Sequence, residues 1–182
     1  MGLLTAGHTI SCANSKSNGG IKKLWLMNID DLDPTSMVFA AGTGYTTVAL
    51  DSGKNAYVFE FRRDTAEHRE EMTEREDETS VSIWAHELEF MEPATGGQTL
   101  VELIQDLSDG CGYAAVYQTY NSDVQFILGY NEDDDDTRPM YLKSNTFATG
   151  KKLEDGSFET LILSCANTQK RQVTTFNMSS LE

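Results

Sequence analysis

Cysteine, proline and basic residues are all scarce in this sequence. Its 182 residues include three cysteines, Cys12, Cys111 and Cys165, and three prolines. An odd number of cysteines at wide spacing argues against a disulfide framework or a Cys-x-x-Cys metal site, and indicates reduced thiols. So few prolines, with fourteen glycines, argue against low complexity. A chain of this length can instead bury about 70% of its unfolded surface in a core of its own.

Basic residues and long apolar runs are the other shortages. Fourteen Lys and Arg residues face 29 Asp and Glu residues, which gives a net charge of −15 and an isoelectric point near 4.5. This charge opposes binding to DNA phosphates or to an anionic membrane by simple attraction. No segment approaches the roughly eighteen apolar residues of a membrane span, and the first seven residues do not resemble a secretion signal. We therefore expect no membrane partner and no secretion, and we expect the protein to assemble in the cytoplasm of the cell that makes it.

The residues that are present predict a mainly β fold. The chain is 39% hydrophobic and carries seven Tyr, eight Phe and two Trp residues. Short runs rich in aromatic and β-branched residues alternate with turn signals. This pattern predicts an antiparallel β-sandwich or half-barrel of roughly nine strands, with one flanking α-helix. Residues 1–20, rich in Ser, Asn and Gly, are predicted to form an extended N-terminal arm, and residues 21–182 a single β domain.

Several elements can be placed along the chain. The near-continuous apolar run at 22–29 predicts a buried strand, and strands at 37–41, 45–50 and from 57 onward are predicted to form a meander. Residues 113–120 and 124–130 flank an Asn-Ser-Asp turn and predict a hairpin. The helix is predicted from a spacing near 3.6 residues, with Thr99 as its N-cap; its apolar face comprises Leu100, Val101, Leu103, Ile104 and Leu107.

The stretch at 57–92 is the most unusual part of the sequence. It contains twelve acidic and four basic residues, and its two apolar ends flank a charged span. We predict that residues 62–80 protrude as an acidic hairpin or arm that contacts a neighbouring subunit, with a solvated helix or disorder until assembly as the alternatives. The candidate residues of this intersubunit arm are Arg62, Arg63, Asp64, Glu67, Arg69, Glu70, Glu71, Met72 and Arg75.

A second acidic element lies between two predicted strands. It is a run of one Glu and four Asp residues, and such a run is usually a solvated loop. It could also line a channel. The candidate residues of this acidic loop or lumen are Glu132, Asp133, Asp134, Asp135 and Asp136.

Catalytic patterns are weak. The three histidines, His8, His68 and His86, are far apart in sequence, and neither a nucleophile elbow nor a phosphate-binding Gly-rich loop is present. We interpret His68 as a histidine on a solvated charged arm rather than as a metal ligand or an acid/base group. The sequence therefore predicts a protein that is not an enzyme, with no catalytic residues, no metal ligands and no cofactor.

Three segments resemble one protein family. Residues 11–15 followed by Gly19-Gly20-Ile21-Lys22-Lys23 are similar to the opening of structural tail proteins in phages of Bacteroidota hosts, the crAss-like phages among them. Residues 57–66 with the returning strand at 81–90 form the second segment. The third comprises 124–130 with its acidic loop, 146–150 and 159–166.

The resemblance implies a tail-tube-like fold and a structural role in the virion. It implies subunits that assemble into a closed ring of the tail or of the head-to-tail connector, sixfold or twelvefold, with neighbouring tail or connector proteins as partners. The ring would line the DNA ejection channel. An acidic lumen suits such a channel, because each neutralised phosphate would add affinity for passing DNA and slow it.

Two other classes of function stay open. One is a monomeric β-sandwich module that binds, for example, carbohydrate, with Tyr113, Tyr117, Tyr120 and Tyr130 as a platform; packing in the core is the alternative use of these rings. The other is a small hydrolase with an acid pair that the sequence does not locate.

Overall fold

The first strand is buried on both of its faces. The structure is a computed structural model that describes residues 20–62, 64–73, 82–93, 97–120, 124–131, 137–149 and 156–182. In it, β1 spans Ile21–Asn28, and its four central residues, Leu24, Trp25, Leu26 and Met27, are almost completely buried. Successive side chains of a strand point to opposite faces, so a continuous apolar run requires cover on both sides. The predicted buried strand at 22–29 is thus present, displaced by one residue.

Strand β1 belongs to a seven-stranded sheet, here called the large sheet. The other strands are β2 (Val38–Ala40), β3 (Gly44–Thr47), β4 (Tyr57–Glu60), β7 (Tyr113–Thr119), β8 (Gln125–Leu128) and β11 (Gln172–Thr174). The order in the sheet is β2-β3-β11-β8-β7-β1-β4. Strands β7 and β8 pair as the predicted hairpin. The predicted meander is wrong in one respect, because β4 pairs with β1 at the far edge and not with β3.

Four longer strands form a second sheet, here called the small sheet. They are β5 (Ala66–Thr73), β6 (Ile83–Pro93), β9 (Tyr141–Ala148) and β10 (Phe158–Asn167), in the order β5-β6-β10-β9. Every neighbouring pair is antiparallel. The described part of the predicted arm is therefore mainly the extended strand β5, paired with β6, and not a helix. The prediction that it protrudes was wrong for β5, because β5 is part of the small sheet and its Ala66 is buried in the core.

The two sheets share one core. Leu24 and Leu26 of β1 join Leu88 of β6 and Leu161 and Leu163 of β10 in a single cluster. The opposite face of the large sheet buries a second cluster, which includes Trp25, Met27, Tyr45 and Met178; Met178 lies in a short 3-10 helix, Met178–Ser180. The mainly β sandwich with a flanking helix is thus confirmed, with eleven strands among the described residues rather than roughly nine.

The helix α1 spans Gly97–Asp109 and packs against the core between the sheets. Its apolar face follows the predicted spacing at Leu103 and Ile104, which are partly buried against the cluster, and at Leu107, which is buried. The prediction was wrong for Val101, which is 55% exposed. The prediction of its start was wrong, because α1 begins two residues before Thr99. Among the described residues, no helix is long and apolar enough to cross a membrane.

A glycine allows β3 to lie against β11, its parallel neighbour. Gly44 has a φ of +87°, and a Cβ atom built on it would lie 2.1 Å from the carbonyl oxygen of Val173. No side chain fits at that distance, and L residues rarely adopt that conformation. Gly42 has a similar φ of +82°, but nothing lies within 4 Å of its Cβ position. Gly44 is therefore required by packing as well as by conformation.

Candidate functional site

Strand β5 carries charged side chains on one face and a polar cluster on the other. Ala66, His68 and Glu70 alternate with the exposed residues Glu67, Arg69 and Glu71. Alternation with a period of two is the pattern of a half-buried strand. The interpretation of His68 as a residue on a solvated arm was wrong. The sequence did not reveal the buried face of β5, because inward positions such as His68 and Glu70 are polar. Apolar and polar residues therefore do not alternate along this strand.

The strand pairing places a second histidine beside the first. Glu70 is directly opposite His86 in the β5–β6 register, and His86 is only 2% exposed. The rings of His68 and His86 stack with centroids 5.6 Å apart. Tyr117 of β7, in the large sheet, contacts His68 from the other side. This group of side chains, His68, Glu70, His86, Tyr117 and Arg171, is called here the intersheet polar cluster.

A chain of hydrogen bonds crosses the intersheet polar cluster. The Tyr117 hydroxyl lies 2.7 Å from His68 Nδ1, His68 Nε2 lies 3.4 Å from His86 Nδ1, and His86 Nε2 lies 3.3 Å from the carbonyl oxygen of Gln169. The Gln169 carbonyl oxygen can only accept a hydrogen bond. When both imidazole rings are neutral, this fixes the donor in all three hydrogen bonds of the chain. Tyr117 donates to His68, His68 donates to His86, and His86 donates to Gln169.

Burial keeps both histidines neutral. It lowers the pKa of His68 to about 4, and the neighbouring His86 contributes in the same direction. Burial also lowers the pKa of His86, against the opposing effects of the Gln169 hydrogen bond and the Glu70 charge. The 3.8 Å approach of His86 Nδ1 to the Glu70 carboxylate is therefore not an ion pair at neutral pH.

Glu70 carries a buried negative charge that neighbouring basic groups and a backbone N–H stabilise. Its side chain is 7% exposed, and its Oε1 lies 3.0 Å from Arg171 Nη1 and 3.5 Å from Lys170 Nζ. Its Oε2 accepts a hydrogen bond from the Arg171 backbone N–H at 3.2 Å. Burial alone would raise the pKa of this carboxyl, but the Arg171 hydrogen bonds and the two positive charges outweigh burial and lower the pKa. Glu70 is thus ionised and held in place.

The intersheet polar cluster opens onto a cleft. The cleft has a volume of about 490 Å³ and is lined by His68, Glu70, Tyr117, Phe126 and Arg171, among others. The Arg171 guanidinium lies 5.2 Å from the centre of the Phe126 ring, which fixes one wall. His68, Glu70 and His86 each offer one ligand atom, and these atoms lie within 4.8 Å of one another. The cluster therefore has both a donor set for a metal ion and access for small molecules.

The outer face of the small sheet forms a charged surface. Glu67 is paired with Glu89, and Arg69 with Glu87. Lys143 of β9 adds an ion pair to Glu87. The charged residues of this outer face, as the register and this ion pair place them, are Glu67, Glu71, Glu87 and Glu89 with Arg69 and Lys143. Four acids against two bases leave the face acidic.

The small sheet also has two open edges. Within the described part of the chain, β5 pairs only with β6 and β9 pairs only with β10. Strand β9 is exposed along most of its length and presents two large aromatic side chains, Tyr141 at 50% and Phe147 at 56% exposure. Open edges with exposed apolar residues are sites where another strand can add.

The predicted site residues fall into several groups. Glu67, Arg69 and Glu71 lie on the outer face, Glu70 lies in the intersheet polar cluster, and Met72 is half exposed near the end of β5. Arg62 and Asp64 lie in the exposed connection before β5. The remaining predictions lie outside the described residues: Arg63, Arg75, Glu132, Asp133, Asp134, Asp135, Asp136 and residues 1–19 of the N-terminal arm.

The tyrosines considered as a binding platform belong to the interior. Tyr113, Tyr117 and Tyr130 are buried, and the half-buried Tyr120 donates a hydrogen bond to the Phe61 carbonyl. The intersheet polar cluster, in contrast, was missed by sequence reasoning. The signal that could have revealed it is a His-x-Glu pattern on one strand and a histidine on the returning strand, but only once the register was known.

Comparisons of the chain with protein-family models, with curated proteins and with solved structures found no match. The fold nevertheless defines a class: a mainly β, two-sheet sandwich with one flanking helix. Its surface adds an acidic sheet face and two open edges of one sheet.

Proposed function

We propose that this chain is a structural virion subunit that assembles with copies of itself into a closed ring of a phage tail or connector. The observation that carries the proposal is the pair of open edges, β5 and β9, at opposite sides of the same sheet. An interface between two different surfaces of identical subunits is heterologous, and it closes into a ring when the rotation between subunits allows.

The directions of the two edge strands suit such a ring. The small sheet has four strands in strict antiparallel order, so β5 and β9 run in opposite directions. A copy related by rotation about an axis along the strands would therefore place its β5 antiparallel to the β9 of its neighbour. The sheets of all subunits would join into one continuous antiparallel barrel, in which no edge of the small sheet remains open.

Charge favours this pairing over the pairing of two β5 edges. Strand β5 exposes Glu67 and Glu71 with Arg69 between them. A symmetric β5–β5 contact centred on Arg69 would place each Glu67 opposite Glu71 of the other copy and Arg69 opposite its own copy. Strand β9 has one charged residue, Lys143, and otherwise presents neutral side chains. Like charges directly opposite in a sheet are destabilising, so β9 is the better neighbour for β5.

The dimensions allow a channel. Six copies would contribute six sets of four strands, and at about 4.8 Å between strands the barrel would be roughly 37 Å across at its backbone, more if the strands tilt. The large sheet covers the inner face of the small sheet, so the acidic outer face would line the lumen. Such a lumen repels phosphates and lets DNA slide without tight binding.

Electron microscopy of the purified chain, with its mass in solution, tests the proposal. We expect rings or stacked tubes of sixfold or twelvefold order and a mass that is the matching multiple of 20.2 kDa. A chain that stays monomeric up to the highest soluble concentration would refute self-assembly through the sheet edges. A compact twofold dimer would refute the ring but would remain consistent with pairing through one edge of the small sheet.

A further inference from the structure

We propose that His68, Glu70 and His86 form a binding site for a divalent first-row transition metal ion such as Zn²⁺, with an open coordination position that faces the cleft. The inference does not depend on the ring. It assigns a role to inward-facing polar residues of β5, at positions where a sandwich ordinarily places apolar side chains.

The separations between the ligand atoms suit a tetrahedral ion. His68 Nε2 lies 3.4 Å from His86 Nδ1, and His86 Nδ1 lies 3.8 Å from Glu70 Oε2. Bonds of about 2.0–2.1 Å from one ion place tetrahedral ligands about 3.4 Å apart. The histidine pair is at that separation already. The carboxylate would have to approach His86 Nδ1 by a few tenths of an ångström and close its separation from His68, which is within 4.8 Å.

The type of ligands also suits this class of ion. Two imidazoles and one carboxylate bind Zn²⁺ and related ions, whereas Ca²⁺ and Mg²⁺ prefer oxygen ligands alone. Three protein ligands leave a fourth position for solvent or a small ligand. The cleft of about 490 Å³, lined by His68 and Glu70, provides the route to that position.

Each ligand has a supporting contact on its far side. His86 Nε2 lies 3.3 Å from the Gln169 carbonyl, which orients the ring so that Nδ1 points toward the site. His68 Nδ1 lies 2.7 Å from the Tyr117 hydroxyl. Metal-binding histidines commonly donate their second N–H to such a partner. Besides the movement of the carboxylate, binding requires that the His68 proton move from Nε2 to Nδ1 and that the Tyr117 hydroxyl turn to accept it.

Glu70 can bind an ion without losing its ion pair. Its Oε1 faces Arg171 Nη1 at 3.0 Å, while its Oε2 is the oxygen nearer to His86. Monodentate coordination through Oε2 would compete only with the backbone N–H of Arg171. The positive charges of Arg171 and Lys170 repel a metal ion at this position. The site should therefore bind the ion with lower affinity than a site built of neutral and acidic residues alone.

The hydrogen-bonded chain described above competes with this proposal, because it satisfies the same atoms with no ion present. Co²⁺ distinguishes the two, because its visible absorption reports coordination number and ligand type. The experiment uses the full chain without a histidine tag, treated with a chelator and then dialysed. We expect one Co²⁺ per chain with the intense bands of four-coordinate cobalt, and displacement of that ion by Zn²⁺ at a one-to-one ratio.

Variants locate the site. His68→Ala, at a half-buried position, should weaken Zn²⁺ binding at least 100-fold by titration calorimetry and abolish the cobalt bands. Glu71→Gln, on the opposite face of the same strand, should leave both unchanged. If His68→Ala does not fold, as judged by circular dichroism, Glu70→Gln replaces it, because glutamine keeps the shape but is a much poorer ligand.

Two results would overturn the proposal. One is the absence of four-coordinate cobalt bands in the folded chain at millimolar Co²⁺. The other is equal Zn²⁺ affinity in the wild-type chain and in a folded His68→Ala or Glu70→Gln variant, which would place the ion elsewhere, for example on the acidic residues that lie outside the described part of the chain.

Discussion

Replacing Glu70 with glutamine tests whether β5 is a packed strand or a solvated arm. Glutamine keeps the size of the side chain and one acceptor oxygen but removes the negative charge. In the structure this charge is 7% exposed and lies 3.0 Å from Arg171 Nη1. On a solvated arm, the same substitution would remove a charge that is already surrounded by water.

The contacts of Glu70 set the expected cost. Hydrogen bonds to charged groups contribute about 1.5–3 kcal/mol each, and Glu70 accepts from the backbone and the side chain of Arg171. The side chains of Arg171 and Lys170 are 35% and 53% exposed, so both cations regain water when the carboxylate is lost. The cost should therefore lie near the lower end of that range, at about 2 kcal/mol.

Urea unfolding followed by circular dichroism measures the effect. The measurement is made with a chelator present and at low protein concentration, because a bound ion or subunit assembly would add stability of its own. Glu71→Gln is the matched control, since Glu71 is the next residue on β5 but is exposed, and its effect should stay within about 0.5 kcal/mol. Equal effects of the two substitutions would refute the register of β5 against β6.

Two further predictions concern the sheet edge and the β3–β11 contact. Phe147→Glu should block ring formation, because it places a negative charge on the open edge of β9, where it would meet the acidic strand β5 of the neighbouring subunit. Val38→Glu, on β2 of the large sheet with a similar exposure of 48%, should not; electron microscopy decides, and rings from both variants would exclude β9 from the interface. Gly44→Ala should lower the free energy of unfolding by roughly 3 kcal/mol or more, since it adds a backbone clash to the conformational strain of about 1 kcal/mol. Gly42→Ala should lower the free energy of unfolding only by the conformational strain. Similar unfolding midpoints for the two variants would show that the backbone moves to relieve the clash at Gly44.

Much of the fold follows from local patterns. The apolar run that became β1 predicts a strand covered on both sides, because a one-sided strand would alternate. The spacing of Leu103, Ile104 and Leu107 predicts the face that α1 packs against the core. The packed inner face of β5 could not be predicted in this way, because its inward residues His68 and Glu70 are polar and contact residues of other elements.

The sequence by itself determined the mainly β class, the flanking helix and the acidic surface, since each depends on composition or on neighbours a few residues apart. The tertiary structure alone decided how the strands divide into two sheets, where β11 lies parallel to β3, and that His68 and His86 meet. Strand pairing joins residues far apart in the chain, and many pairings bury the same apolar residues equally well. The intersheet polar cluster therefore exists only in the register that the folded sheets adopt.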